Sequence, residues 1–204
     1  MAPPKHFCLF SAIFLFLFLL SFPPTSAILP KVNIHLPNAK NPLPATPSKL
    51  VKRVCKGDSI DRNFCLQVLT TPEAVAVKDS TKLGTLIMKL GAANGKATLD
   101  AYNEMIKKPG SPQTLKALNS CVEAYKYAIQ SFKIVSTELV DDPMTANYDV
   151  SILAPEITNC DKALTDAKVE APRLYDGNRF IKYYIAMGSR ITSILEDQSK
   201  QNNY

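Results

Sequence analysis

Residues 113–140 read QTLKALNSCVEAYKYAIQSFKIVSTELV. Their apolar positions are Leu115, Leu118, Val122, Tyr125, Ile129, Phe132 and Leu139, with Ser136 as the one polar member of the series. The steps alternate between three and four residues, the period of a helix with a single buried seam. The same rhythm extends on both sides. Upstream, Leu83, Leu86, Ile87, Leu90, Ala97, Ala101 and Met105 mark a helix from about Asp79 to Lys107, stopped by Pro109, Gly110 and Pro112. Downstream, Asp141-Asp142-Pro143 opens a third helix, with acid at its positive end and proline in its first turn. Its seam is Ala146, Val150, Leu153, Ile157, Cys160, Leu164 and Ala167. The segment APRLYDG, Ala171 to Gly177, reads as a break, and Ile181, Tyr184, Gly188, Ile191 and Leu195 mark the last helix.

Four helices of about 25 residues with short connections predict an all-α fold, an antiparallel up-and-down four-helix bundle over residues 79–199. Residues 48–78 read as a short N-terminal helical hairpin, with Ser48 as N-cap and Pro72 in a first turn. Residues 48–199 would form one domain, and 200–204 a tail. Pro155 lies inside the third helix, where it removes the hydrogen bond to the Ser151 carbonyl and predicts a kink or break.

The N-terminus has a different character. Lys5 precedes the apolar run Phe7–Phe22, followed by PPTSA with small residues at Thr25, Ser26 and Ala27. This is the plan of a signal peptide, residues 1–27, cleaved after Ala27; the competing reading is a retained anchor. Residues 28–47 hold Pro30, Pro37, Pro42, Pro44 and Pro47 and read as an extended arm. The leading 27 residues carry one of the chain's 24 basic residues and none of its 18 acidic ones, so the remainder has a formal charge of +5. From Ile28 to Gly57 there are six basic residues and no acidic one, whereas the rest is nearly neutral. In an exported protein such a segment suits acidic polysaccharides such as pectin or a membrane surface rather than nucleic acid; otherwise it is a solvated linker.

Motifs for catalysis are missing. Beyond the leader the sole histidine is His35, in the proline-rich arm, where nothing holds it against a substrate. There is no C-x-x-C or H-x-x-x-H, no glycine-rich phosphate loop and no G-x-S-x-G. The acid pairs Asp141–Asp142 and Glu196–Asp197 fall at helix ends, where such charges are ordinary, and Tyr183 and Tyr184 read as packing residues. No catalytic residue, metal site or cofactor is expected; a hydrolase using paired acids is the enzymatic alternative.

Export removes Cys8 and leaves four cysteines, which in an oxidising compartment suggests two disulfides with three connectivities. A Cys55–Cys65 bridge would staple the hairpin and be worth ~3 kcal/mol. A Cys121–Cys160 bridge would tie the second long helix to the third and be worth ~4 kcal/mol. Crossed pairings would leave the hairpin unpinned.

Three motifs carry a resemblance: FCLQVL (Phe64–Leu69), LNSCVEAYKYA (Leu118–Ala128) and VSILAPEITNCDKAL (Val150–Leu164). With four cysteines in this order after a leader, and with Tyr125 and Ala128 four and seven residues past the third cysteine, residues 48 to 196 resemble the plant invertase and pectin methylesterase inhibitor family. Within it the wording is similar to pollen-type invertase inhibitors. The resemblance implies the pairing Cys55–Cys65 and Cys121–Cys160. It also implies a non-catalytic inhibitor that binds a secreted or vacuolar plant enzyme one-to-one. Invertase inhibitors of the family carry a Pro-Lys-Phe element at the start of the third bundle helix. The matching residues are Pro143, Met144 and Thr145, the candidate target contacts, and only the proline is kept. The expectation is therefore an apoplastic inhibitor of a cell-wall carbohydrate-active enzyme, with pectin methylesterase preferred and vacuolar location the other destination. Acid invertase is the alternative target, and a non-inhibitory wall-binding protein the alternative class.

Overall fold

The structure is a computed structural model and describes residues 46–57 and 59–202. The leader 1–27, His35 and nearly all of the proline-rich arm lie outside the described residues. Helices begin where a short polar side chain can accept from the first turn. Ser48 receives the Val51 N–H at 3.2 Å, Asp61 that of Phe64 at 2.8 Å, and Thr71 that of Ala74 at 3.3 Å. Asp79 receives the Lys82 N–H at 2.8 Å and Ser111 that of Thr114 at 3.1 Å. Each cap satisfies a donor that the helix itself leaves unpaired. The helices that follow these caps are α1 (Lys49–Val54), α2 (Arg62–Leu69), α3 (Pro72–Ala76), α4 (Ser80–Ile106) and α5 (Pro112–Asp141). Then come α6 (Pro143–Ser151), α7 (Leu153–Asp166) and α8 (Pro172–Asn202). No strand occurs among the described residues.

The four long members form a closed ring of neighbours. Helix α4 packs on α5 and α8, and α6 with α7 packs on the same two, so α4 lies opposite α6–α7. Short connections make successive members antiparallel. Helices α1 and α2 pack on each other and on α8, with Phe64 set among Phe180, Tyr183 and Tyr184 at ring-centroid distances of 5.0–5.4 Å.

Three details differ from the sequence pattern, and a fourth, the break near Pro155, follows it. On α5 the buried residues include Leu118, Cys121, Val122, Tyr125, Ala128, Phe132, Val135 and Leu139, whereas Ile129 and Ser136 are only half-buried. Small Ala128 and bridged Cys121 let the neighbours come close. On α4, Leu90 and Ala97 are only half-buried, and a row of Gly84, Gly91, Gly95, Thr98 and Tyr102 does the close packing. At Gly91 an added Cβ would stand 2.8 Å from the Phe132 ring.

The third helix divides at Ile152, three residues before Pro155. Pro155 thereby falls in the first turn of α7, where its missing N–H is no loss, and the break sits next to the Ser151 carbonyl that it orphans. Finally, α8 starts at Pro172, so Asp176 and Gly177 lie inside a helix. Gly177 permits contact rather than stopping the chain, because a Cβ there would lie 2.3 Å from Thr98 Cγ2. The real stop precedes it. Lys168, at φ 51°, ends α7 with Lys168 N–H donating to the Thr165 carbonyl and Val169 N–H to that of Leu164, a Schellman pattern.

Candidate target-binding face

Helices α5 and α6 meet at one residue. Asp142 ends α5, its N–H donating to the Glu138 carbonyl at 2.9 Å, and also caps α6. Its Oδ1 accepts the Thr145 N–H at 3.0 Å and its Oδ2 the Thr145 hydroxyl at 2.7 Å. Those two bonds, backbone first, hold the Asp142 carboxyl below the usual range. Pro143 occupies the first helical position, which needs no N–H.

Of the three residues singled out there, Pro143 and Thr145 are half-buried and Met144 is 65% exposed. Two residues not singled out extend its surface: Val140 at 68% and Tyr148 at 65%. Met144 and Tyr148 are one turn apart on α6 and off its buried positions Ala146 and Val150. An apolar side chain at an off-seam position was the legible signal for both. The corner thus exposes three large apolar side chains on a stretch that also carries Glu138, Asp141, Asp142 and Asp149. Glu138 Oε2 is shielded without a hydrogen-bond partner, and that burial, then the charges of Asp149 and Asp142, raises its pKa. Helix α6 is held to α8 by Asn147, which accepts from the Thr192 hydroxyl at 3.0 Å and donates to Glu196 at 3.5 Å. Lys200, 2.7 Å from Glu196, keeps that carboxyl below its ordinary range. Such a corner can bind an apolar concavity.

Behind this face lie two disulfide bridges and, around one of them, a buried hydrogen-bonded cluster that sequence reasoning missed. Cys121 and Cys160 are bridged, Cα atoms 4.8 Å apart, and join α5 to α7. Cys55 and Cys65 are bridged at 5.6 Å and join α1 to α2. Around Cys160, Asn178 Oδ1 accepts from both the Tyr102 and Tyr125 hydroxyls, each at 2.8 Å. Asn178 Nδ2 donates to Asp161 Oδ1 at 2.6 Å, and Asp161 pairs with Lys182. One asparagine on α8 therefore links α4, α5 and α7. Burial pushes both tyrosines well up, and separately it pushes Tyr184 up to about 12. Tyr183 is raised by burial and by Asp61. Among the described residues no group of three acidic, histidine or cysteine side chains is placed to hold a metal ion, and no helix is long and apolar enough to cross a membrane.

Known proteins share this fold. The chain is similar in fold to a mutant form of a pectin methylesterase inhibitor from Arabidopsis, at TM-score 0.64 and 21% identity, covering 72% of this chain and 97% of that one. It is likewise similar to a pectin methylesterase inhibitor from Arabidopsis thaliana, at TM-score 0.55 and 20% identity, over 72% and 95%. No curated protein sequence matches it. The family described as plant invertase/pectin methylesterase inhibitor matches residues 49–194, most of the chain. The chain belongs to the plant invertase/pectin methylesterase inhibitor family, whose members inhibit enzymes rather than act as enzymes.

Proposed function

We propose that the chain is an exported inhibitor that binds one plant cell-wall enzyme molecule in the apoplast, with pectin methylesterase as the target. In this reading residues 1–27 direct export and are removed, and 48–199 act as one inhibitory domain behind the arm 28–47. The observation that carries the target choice is the use made of Thr145. Its N–H and hydroxyl are both spent on Asp142, and beside it stands an uncharged, exposed Met144. The triplet resembling the invertase-directed Pro-Lys-Phe element therefore offers neither a cation nor an aromatic ring. The apolar surface of Val140, Met144 and Tyr148 forms the contact instead, on a frame made rigid by Asp142 and the Cys121–Cys160 bridge. Rigidity favours affinity because little freedom is lost on binding.

Purified protein would be mixed at acidic, wall-like pH with pectin methylesterase and, separately, with acid invertase. Inhibition of pectin methylesterase, lost in a Met144→Asp, Tyr148→Asp variant of unchanged helicity, is the expected result. Inhibition of invertase alone would reverse the target. Inhibition of neither would leave a wall-binding protein without inhibitory action. Retention of Pro143 as the first residue of α6 is what favours invertase as the second reading. A Met144→Lys, Thr145→Phe variant should then gain or strengthen invertase inhibition.

A further inference from the structure

Helix α1 is cationic on its whole outward side. Val51 and Val54 are fully buried and Leu50 packs on the core, while Lys49, Lys52 and Arg53 are exposed. Lys56, also exposed, follows directly after the Cys55 cap. Positions 49, 52 and 53 share one side of the helix, and Lys56 follows just beyond its cap. Elsewhere on the surface, Lys96, Lys107, Lys126, Lys162 and Lys200 each pair with an acid three or four residues away, whereas Lys82, Lys89, Lys116 and Lys133 do not; what sets α1 apart is the crowding of exposed cations into one short stretch. The four cations of α1 have no ion pair among the described residues, and the sequence offers no acid between Ile28 and Gly57. The nearby Asp61 carboxylate is committed to the first turn of α2.

Helix electrostatics do not account for the set. Lys52 and Arg53 in the last turn complement the negative end of the helix dipole, but Lys49 stands at the positive end, where a cation is unfavourable. The face is also held in place. The Cys55–Cys65 bridge ties α1 to α2, and Phe64 fixes α2 against the rings of α8.

We propose that this face is a binding site for an acidic polysaccharide, a polyuronide chain with unesterified carboxylates. The proposal takes only the wall compartment from the inhibitor reading; the site itself is separate from the α5–α6 corner. A polymer fits better than a single anion, because the charges are strung along the helix roughly 5 Å apart. A membrane fits worse, because every apolar residue of α1 points into the core and none is left to enter a lipid surface. Three of the four cations are lysines, compact point charges that suit a repeating carboxylate more than a fixed two-pronged contact.

The test measures binding of the full secreted chain to polygalacturonate, to highly methyl-esterified pectin and to vesicles containing phosphatidylserine, across a salt series. The wild type is expected to bind polygalacturonate and to release it as salt rises, with little binding to esterified pectin. A Lys49→Gln, Lys52→Gln, Arg53→Gln, Lys56→Gln variant should bind at least about tenfold more weakly and with a shallower salt slope. A control with the same charge change on the bundle, Lys82→Gln, Lys89→Gln, Lys116→Gln, Lys133→Gln, should bind as the wild type does. Equal loss in both variants would reduce the effect to net charge and overturn the proposal. So would undiminished binding by the α1 variant, absence of wild-type binding, or preference for vesicles. Circular dichroism of each variant reports folding. Inhibition assays on the same α1 variant separate the two readings, since inhibition should survive the loss of polygalacturonate binding.

Discussion

Replacing Asn178 by alanine removes the acceptor shared by two buried hydroxyls. Tyr102 and Tyr125 are both fully buried, their rings 5.3 Å apart, and both donate to Asn178 Oδ1 at 2.8 Å. Neither loses every neighbour: the Tyr102 hydroxyl stays 3.2 Å from Cys160 Sγ, and Thr98 lies near that of Tyr125. Asp161 keeps Lys182. An orphaned buried hydroxyl costs about 1–3 kcal/mol, and the fallback partners put each of these toward the lower half. The sum is about 3 kcal/mol, or a melting temperature lower by roughly 6–12 °C for a domain of this size. Urea unfolding followed by circular dichroism would measure it, with an unchanged slope as evidence that the unfolded state is the same. The informative partner is Tyr102→Phe, Tyr125→Phe, Asn178→Leu, in which donors and acceptor go together. It should recover most of the loss, because no polar group is left stranded. A cost below about 1 kcal/mol for Asn178→Ala, or a triple variant as unstable as the single one, would refute the reasoning. The apolar seams alone would then hold the four helices.

Three further outcomes follow. Gly177→Ala forces a Cβ to within 2.3 Å of Thr98 Cγ2 and should cost about 1–3 kcal/mol in thermal or urea unfolding, with Thr98→Ala in the same chain restoring much of it. Lys168→Gly should stabilise the protein by about 1 kcal/mol in the same assays, because Lys168 holds a left-handed conformation at φ 51° that glycine adopts without strain. Glu138→Gln should raise stability at neutral pH and lose that advantage in acid. The folded state raises the Glu138 pKa, so it binds more protons than the unfolded chain, and native stability falls as pH climbs through that interval. Asp142 acts in the opposite sense: its lowered pKa contributes stability above the ordinary carboxylate range, lost as pH falls through the folded value. Melting temperatures of wild type and Glu138→Gln across the acid range would display both slopes.

The sequence by itself determined the architecture, since seams repeating every three and four residues and caps such as Ser48 act locally along one chain. Proline at 143 marked a helix start for the same local reason, whereas Pro112 read as a stop and Pro172 as part of a break, although each opens a helix. The resemblance pointed to Met144, whereas the exposure of Tyr148 and Val140 beside it came from the structure. Only the tertiary structure decided how close the helices come, because the glycine row of α4 has no hydropathy to read and gains meaning only from Phe132 and Thr98 on its neighbours. It likewise decided that Tyr102, Tyr125, Asp161 and Asn178, from four separate helices, meet at one asparagine. Such a meeting depends on where each helix stands and how it is rotated, quantities that no spacing within a single helix records.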